Sequence, residues 1–197
     1  MQQKNQNTLV RDLIYVGVFG AVYMIGVVII SCLGYIPMMI PINPILISLL
    51  LSIPMFLFFS KIDHPILCCT LLSSILAGSL LIEGHSINIF PLIIPFGFLA
   101  GLVLHFFGKT VTGISLAYII TGMIAPASIL PLWISTKQYM EMAAHSCSHE
   151  TVLFLADLYQ KQWVLPLIYI GSLIAAALGA LIANRAMKKH FKRIGLV

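Results

Sequence analysis

His145, Cys147 and His149, followed at once by Glu150, are the densest set of metal-ligating side chains in the sequence. Residues four apart share a helix face, so His145 and His149 could grip a zinc ion with Cys147 or Glu150 as a further ligand. The pattern is not HExxH and no distant third ligand declares itself. A polar stretch of exposed loop, or a contact with a substrate, explains the same residues. Glu83-Gly84-His85 with Asn88 is a second candidate, because ionisable groups at membrane depth are costly and tend to be functional. An ordinary tight turn with solvated Glu83 and His85 is the alternative. Asn43, next to Pro44, either contacts a ligand or caps a helix, and His105 reads as a satisfied interface histidine. Gly108-Lys109-Thr110 ends like a phosphate-binding loop, but that loop needs a glycine where Val103 stands and a strand where an apolar run stands. Nucleotide binding is therefore not expected. The sequence has no Ser/His/Asp constellation, no paired intramembrane aspartates and no redox dithiol, so an enzyme is not expected either.

The elements that must position these residues are apolar. The 197-residue chain is 60% hydrophobic and 9% charged, with a mean hydropathy of +1.03. A soluble domain carries about 45–50% apolar and about 25% charged residues. The sequence predicts an all-α membrane protein of one domain, residues 1–197, whose six runs each form a transmembrane helix. The runs are Leu13–Leu33, Ile45–Phe59, Pro65–Ile82, Ile89–Phe107, Val111–Ile134 and Trp163–Ala183. A spanning helix needs about 20 residues. The first, fourth, fifth and sixth runs meet that, whereas the second, with Pro54 inside it, and the third are marginal. The first run is too long for a signal-peptide core of about 7–15 residues, so no cleavable signal is expected. Cys32, Cys68 and Cys69 lie in apolar runs and read as small core residues rather than a disulfide framework.

The basic residues divide by side. Numbering the polar breaks alternately from the N-terminal tail puts Lys4, Arg11, Lys61, Lys109, Arg185, Lys188, Lys189, Lys192 and Arg193 on one side and only Lys137 and Lys161 on the other. This is the positive-inside asymmetry, and it predicts that both termini are cytoplasmic. The net charge of +5 does not point to nucleic acid, because five of the eleven basic residues crowd the tail 185–197, where they would meet anionic lipid or a cytoplasmic partner. The inner loops at 60–64 and 108–110 are tiny. The outer side holds a proline-rich connection at 34–44, the turn at 83–88 and an extracellular loop at 135–162 long enough for one or two surface helices. Trp133 and Trp163 flank that long loop as interface anchors. Four of the six acids lie on the outer side, so a ligand site open to the outside is the natural picture. Its polar contacts would come first from Glu83, His85 and Asn88, then from Asn43, Trp133 and Trp163, since apolar pockets use few polar groups.

Small residues form close-approach faces at Gly17 and Ala21, at Gly97 and Gly101, and along Gly171, Ala175, Gly179 and Ala183. Packing within the bundle accounts for most of them, and one could dock another membrane protein.

Several segments bring a family to mind: Arg11-Asp12-Leu13-Ile14 with Gly17-Val18-Phe19-Gly20-Ala21, Leu33-Gly34-Tyr35-Ile36-Pro37, Gly84-His85, Leu130-Pro131-Leu132-Trp133 and the tail Lys188–Val197. The chain resembles the substrate-binding S component of energy-coupling factor (ECF) transporters, more specifically the Trep_Strep or MptD-like family. The resemblance implies a bundle that binds a vitamin or related micronutrient at the outer face. It also implies association with a membrane scaffold subunit and two ATPases that hydrolyse ATP, leaving this chain without a cofactor. In that family a small-residue motif on the first helix, usually Ala-xxx-Ala, docks on the scaffold. Gly17 and Ala21 stand in its place here, with glycine for the first alanine. The resemblance further implies that the loops after helices one, three and five hold the ligand, with the proline-rich first loop as a lid. Two competing readings are an intramembrane or surface metal-dependent enzyme using His145 and His149, and a ligand-free membrane assembly protein.

Overall fold

The computed structural model describes residues 2–82 and 87–191, and every regular element among them is helical. In chain order these are α1 (Gln2–Ser31), α2 (Asn43–Leu50), α3 (Ser52–Lys61), α4 (Pro65–Ile82), α5 (Phe90–Phe107), α6 (Val111–Gly122), α7 (Ile124–Ala127), α8 (Pro131–Ile134), α9 (Thr136–Ser146), α10 (His149–Gln160) and α11 (Val164–Ala186). Three helical stretches are long and apolar enough to cross a membrane: Asn7–Ser31, Phe90–Phe107 and Val164–Lys189. The α2–α3 pair makes a fourth if its two bent halves count as one span, and Pro65–Leu81 and Val111–Ala127 are shorter apolar helices.

Proline explains where the structure departs from simple runs. A proline inside a helix has no N–H for the carbonyl four residues back and its ring crowds that carbonyl, so the helix yields one turn earlier. Pro54 acts on Leu50, and the chain bends by 47° between α2 and α3, with Leu51 at the joint. The break therefore lies a turn before the proline rather than at it. Pro126 acts on Gly122, where α6 stops. This corrects the expectation of one continuous helix from Val111 to Ile134. That stretch is divided into α6, α7 and α8, the last beginning at Pro131.

Packing relies on glycine at close approaches. Gly101 of α5 lies against the start of α4, where a Cβ would come within 2.6 Å of Ile66 Cα. Gly179 of α11 lies against the end of α2, where a Cβ would meet the Leu49 carbonyl oxygen at 3.0 Å. α1 is attached by one stripe only. Asp12, Val16, Gly20 and Tyr23 are buried at helical spacing, while Leu13, Ile14, Val18, Val22 and Ile25 are exposed. Two apolar cores result. The larger joins α1 to α7 with the C-terminal half of α11. The smaller, built on Leu132, Leu155 and Ile168, seats α9 and α10 beside the N-terminal half of α11. The long loop thus folds into two helices, as its length allows. Cys68 and Cys69 are buried as expected, but Cys32 is exposed in the 3₁₀ turn that follows α1.

Candidate functional site

Two polar regions and one joint stand out in this apolar bundle. The joint is where the broken helices meet. Pro126 leaves the Gly122 carbonyl without its helical donor, and the Ser48 hydroxyl lies 2.9 Å from that oxygen and 2.8 Å from the Pro44 carbonyl, sharing its proton between them. Tyr118 donates its phenol proton to the Ser48 carbonyl at 2.5 Å. In lipid, backbone groups freed by a helix break must find partners inside the protein. Ser48 and Tyr118 supply them, so the joint is satisfied and holds α2 and α6 together.

The inner region gathers breaks that the charge pattern assigns to one side. Asp12 is fully buried. Its Oδ2 accepts the backbone N–H of Asp63 at 2.8 Å, the backbone N–H of His64 at 2.9 Å and a contact from His64 Nδ1 at 2.9 Å. Arg11 pairs with Asp63, and Lys109 donates to Asp63 at 2.6 Å. A buried carboxylate is tolerable only when its oxygens are hydrogen-bonded, and here it ties α1 to the turn that precedes α4. The Lys109 ammonium, then the Arg11 guanidinium, holds the Asp63 carboxyl below its ordinary value of 3.8, against the opposing effect of burial. Thr110 accepts the Gly113 N–H at 3.0 Å and caps α6. Gly108-Lys109-Thr110 is therefore accounted for by an ion pair and a helix cap. His105 is exposed and borders a cleft of about 200 Å³ with Asp63, Gly108 and Lys109.

The outer region differs. Among the described residues, three buried side-chain polar atoms have no hydrogen-bond partner: Asn43 Oδ1, Trp133 Nε1 and Ser172 Oγ. Ser172 lies on α11 itself, Asn43 opens α2, whose Ile45 meets Gly171, and Trp133 shares an apolar core with Ile168. Asn43 and Trp133 belong to the set expected from sequence. Ser172 does not, because a serine within an apolar run carries no spacing signal. Asn88 is exposed at the mouth of the α4–α5 hairpin. Trp163 is 64% exposed and brings no buried polar atom to this region. Glu83 and His85 lie outside the described residues, as do Lys192 and Arg193 of the tail.

The metal pattern loses its geometry. His145 closes α9 and His149 opens α10, with Cys147 and Ser148 extended between them. The two histidines do not share a helix, so their i, i+4 spacing gives no common face. Both they and Cys147 are exposed. Among the described residues no group of three or more His, Cys, Asp or Glu side chains could hold a metal ion.

The small-residue faces also separate. Gly97, Gly101, Gly171 and Gly179 all abut neighbouring helices. Gly17 has no atom within 4 Å of where its Cβ would be, and Ala21 is exposed beside it.

Apolar helices too long for a soluble core of this size, an outward-facing apolar surface and charged side chains kept out of the middle of the long apolar helices define an integral membrane protein. The profile of the family described as hypothetical bacterial integral membrane protein (Trep_Strep) matches residues 10–193, and the chain belongs to that family. No curated protein and no solved structure matches it.

Proposed function

We propose that this chain is the substrate-binding subunit of an ATP-driven micronutrient importer of the ECF type, resident in the bacterial plasma membrane. In this reading the bent α2–α3 pair, α4 and the α6–α7 stretch cross the membrane with α1, α5 and α11, giving six crossings and cytoplasmic termini. The ligand, a vitamin or similar micronutrient, enters at the outer end, and the 34–44 segment acts as its lid. A membrane scaffold subunit docks on the Gly17 and Ala21 face of α1, and two ATPase subunits bound to that scaffold hydrolyse the ATP.

The observation that carries the reading is the open Gly17. Every other small-residue face named in the sequence is consumed by packing inside the bundle, whereas Gly17 and Ala21 face outward. Small residues let helices from separate proteins approach closely in lipid, where van der Waals contact drives association. A Cβ at position 17 has no atom of the chain within 4 Å, so a tryptophan there starts from open space and is expected to block a partner rather than disturb the fold. The test is affinity purification of wild type and Gly17→Trp from the native membrane. Wild type is expected to bring a scaffold and ATPases with it, and Gly17→Trp to lose them while keeping its small molecule. Retention of the partners by Gly17→Trp contradicts the docking face.

A further inference from the structure

We propose that the cleft beside His105 and Lys109 holds the phosphate head of an anionic membrane lipid, whose acyl chain runs along the exposed stripe of α5. In the orientation proposed above, that lipid belongs to the inner leaflet. The site is separate from the outer end and does not depend on what binds there.

The cleft has a volume of about 200 Å³. Its floor is apolar and buried, with Phe59, Ile62 and Leu104, and its rim carries the exposed Asp63, His105 and Lys109. Pockets that enclose a whole drug-sized molecule run to about 300–1,000 Å³. This cleft therefore takes part of a ligand, and the rest lies outside it. The surface outside is apolar. Phe98, Leu102 and His105 stand at helical spacing on α5. Phe98 and Leu99 are exposed, Leu102 is half-buried, and Phe106 beside the cleft is 77% exposed. The stripe leads from the middle of the α5 span to the polar rim. A polar head in the cleft with an apolar tail on the stripe is the shape of a membrane lipid.

The rim sets the charge of the head. The basic residues of this end, among them Arg11, Lys61, Lys109, Arg185 and Lys188, outnumber its two acids, Asp12 and Asp63. Asp12 is fully buried and accepts from the 63–64 backbone and His64. Asp63 is held by two cations, Arg11 and Lys109. Neither acid is left as an unmet negative charge at the rim. Lys109 gives one N–H to Asp63 at 2.6 Å, and an ammonium has three. The His105 imidazole supplies a further donor. Basic pockets between membrane helices take up anionic lipid heads with this set of groups. A zwitterionic head would bring its own cation towards Lys109 and gain less.

The test uses the full-length chain stripped of lipid by detergent exchange, titrated with phosphatidylglycerol and read by native mass spectrometry. Wild type is expected to bind one phosphatidylglycerol in preference to phosphatidylcholine with the same acyl chains. Lys109→Gln should weaken that binding by about fivefold or more, as the loss of one cation beside an anionic head does. The variant is expected to fold, because the Asp63 pair it breaks is half exposed. His105→Phe leaves that pair intact and should weaken binding as well. Lys188→Gln removes the same charge from the same end without lining the cleft, and it should bind as wild type does. Equal binding of the two lipids, unchanged binding by either cleft variant, or a loss in Lys188→Gln as large as that in Lys109→Gln overturns the inference. So does displacement of the lipid by an equal concentration of glycerol 3-phosphate, which would assign the cleft to a soluble phosphate. A lipid held here differs from a micronutrient at the outer end in its mass and in its dependence on Lys109, so failure of one leaves the other standing.

Discussion

The two ends of the bundle treat polar groups in opposite ways. At the inner end a fully buried carboxylate, Asp12, has each need met by the 63–64 backbone, His64 and Arg11. At the outer end single buried atoms of Asn43, Trp133 and Ser172 are unmet. Chemistry alone does not explain the difference, since a carboxylate is far harder to bury than an amide or a hydroxyl. Purpose does. The inner end uses polarity to hold the N-terminal helix to the rest of the fold, and under the proposed binding role the outer end keeps polarity in reserve. Proteins carry the cost of unmet polar groups where they bind.

Mutations can break that contrast. The largest effect is expected from Asp12→Ala, which strands the 63–64 backbone donors and His64 and frees α1. A loss of roughly 3–5 kcal/mol, typical for one partner removed from a buried ionic cluster, should appear as a sharp drop in melting temperature in detergent. Next comes Gly179→Leu. Its side chain has no room against the Ser48 and Leu49 carbonyls, and overpacking costs about 1–3 kcal/mol. Tyr118→Phe removes the bond to the Ser48 carbonyl and should cost about 1 kcal/mol. The Lys109–Asp63 pair is half exposed, so Lys109→Ala should cost at most about 1 kcal/mol. Asp63 has its carboxyl held below its ordinary 3.8, so its contribution is complete above that value and disappears as pH falls through the lowered one. Melting curves of wild type and Asp63→Asn should therefore run in parallel near neutrality and converge only in strong acid. At the bottom of the scale Ser172→Ala should leave stability unchanged or slightly raised. A marked loss there would erase the distinction between the ends.

Much of the membrane character was legible in the sequence, because the apolar runs and the sided lysines and arginines are collective signals that no single residue can hide. α4, α5 and α11 lie close to their predicted runs, whereas α1 begins at Gln2, well before Leu13. The break at Met123 was not legible, since Pro126 acts four residues upstream and an apolar run reads as continuous on either side of it. Asn43 and Trp133 could be singled out because an amide and an indole stand out among aliphatic residues, and each holds a buried atom without a partner. Ser172 could not, because its burial depends on which face of α11 it occupies, and only packing fixes that. Asp12 and Asp63 lie fifty-one positions apart, and no local pattern links them. The His145–His149 pair shows the opposite error, where spacing promised a shared face and the break after Ser146 removed it.

The most direct test of the account is native mass spectrometry of the full-length wild-type chain released gently from detergent. The account predicts a species heavier than the bare polypeptide by the mass of one small molecule, lost on activation to leave the folded chain. A spectrum holding only the bare polypeptide, across preparations from the native membrane, would contradict the claim that the outer end is a ligand site.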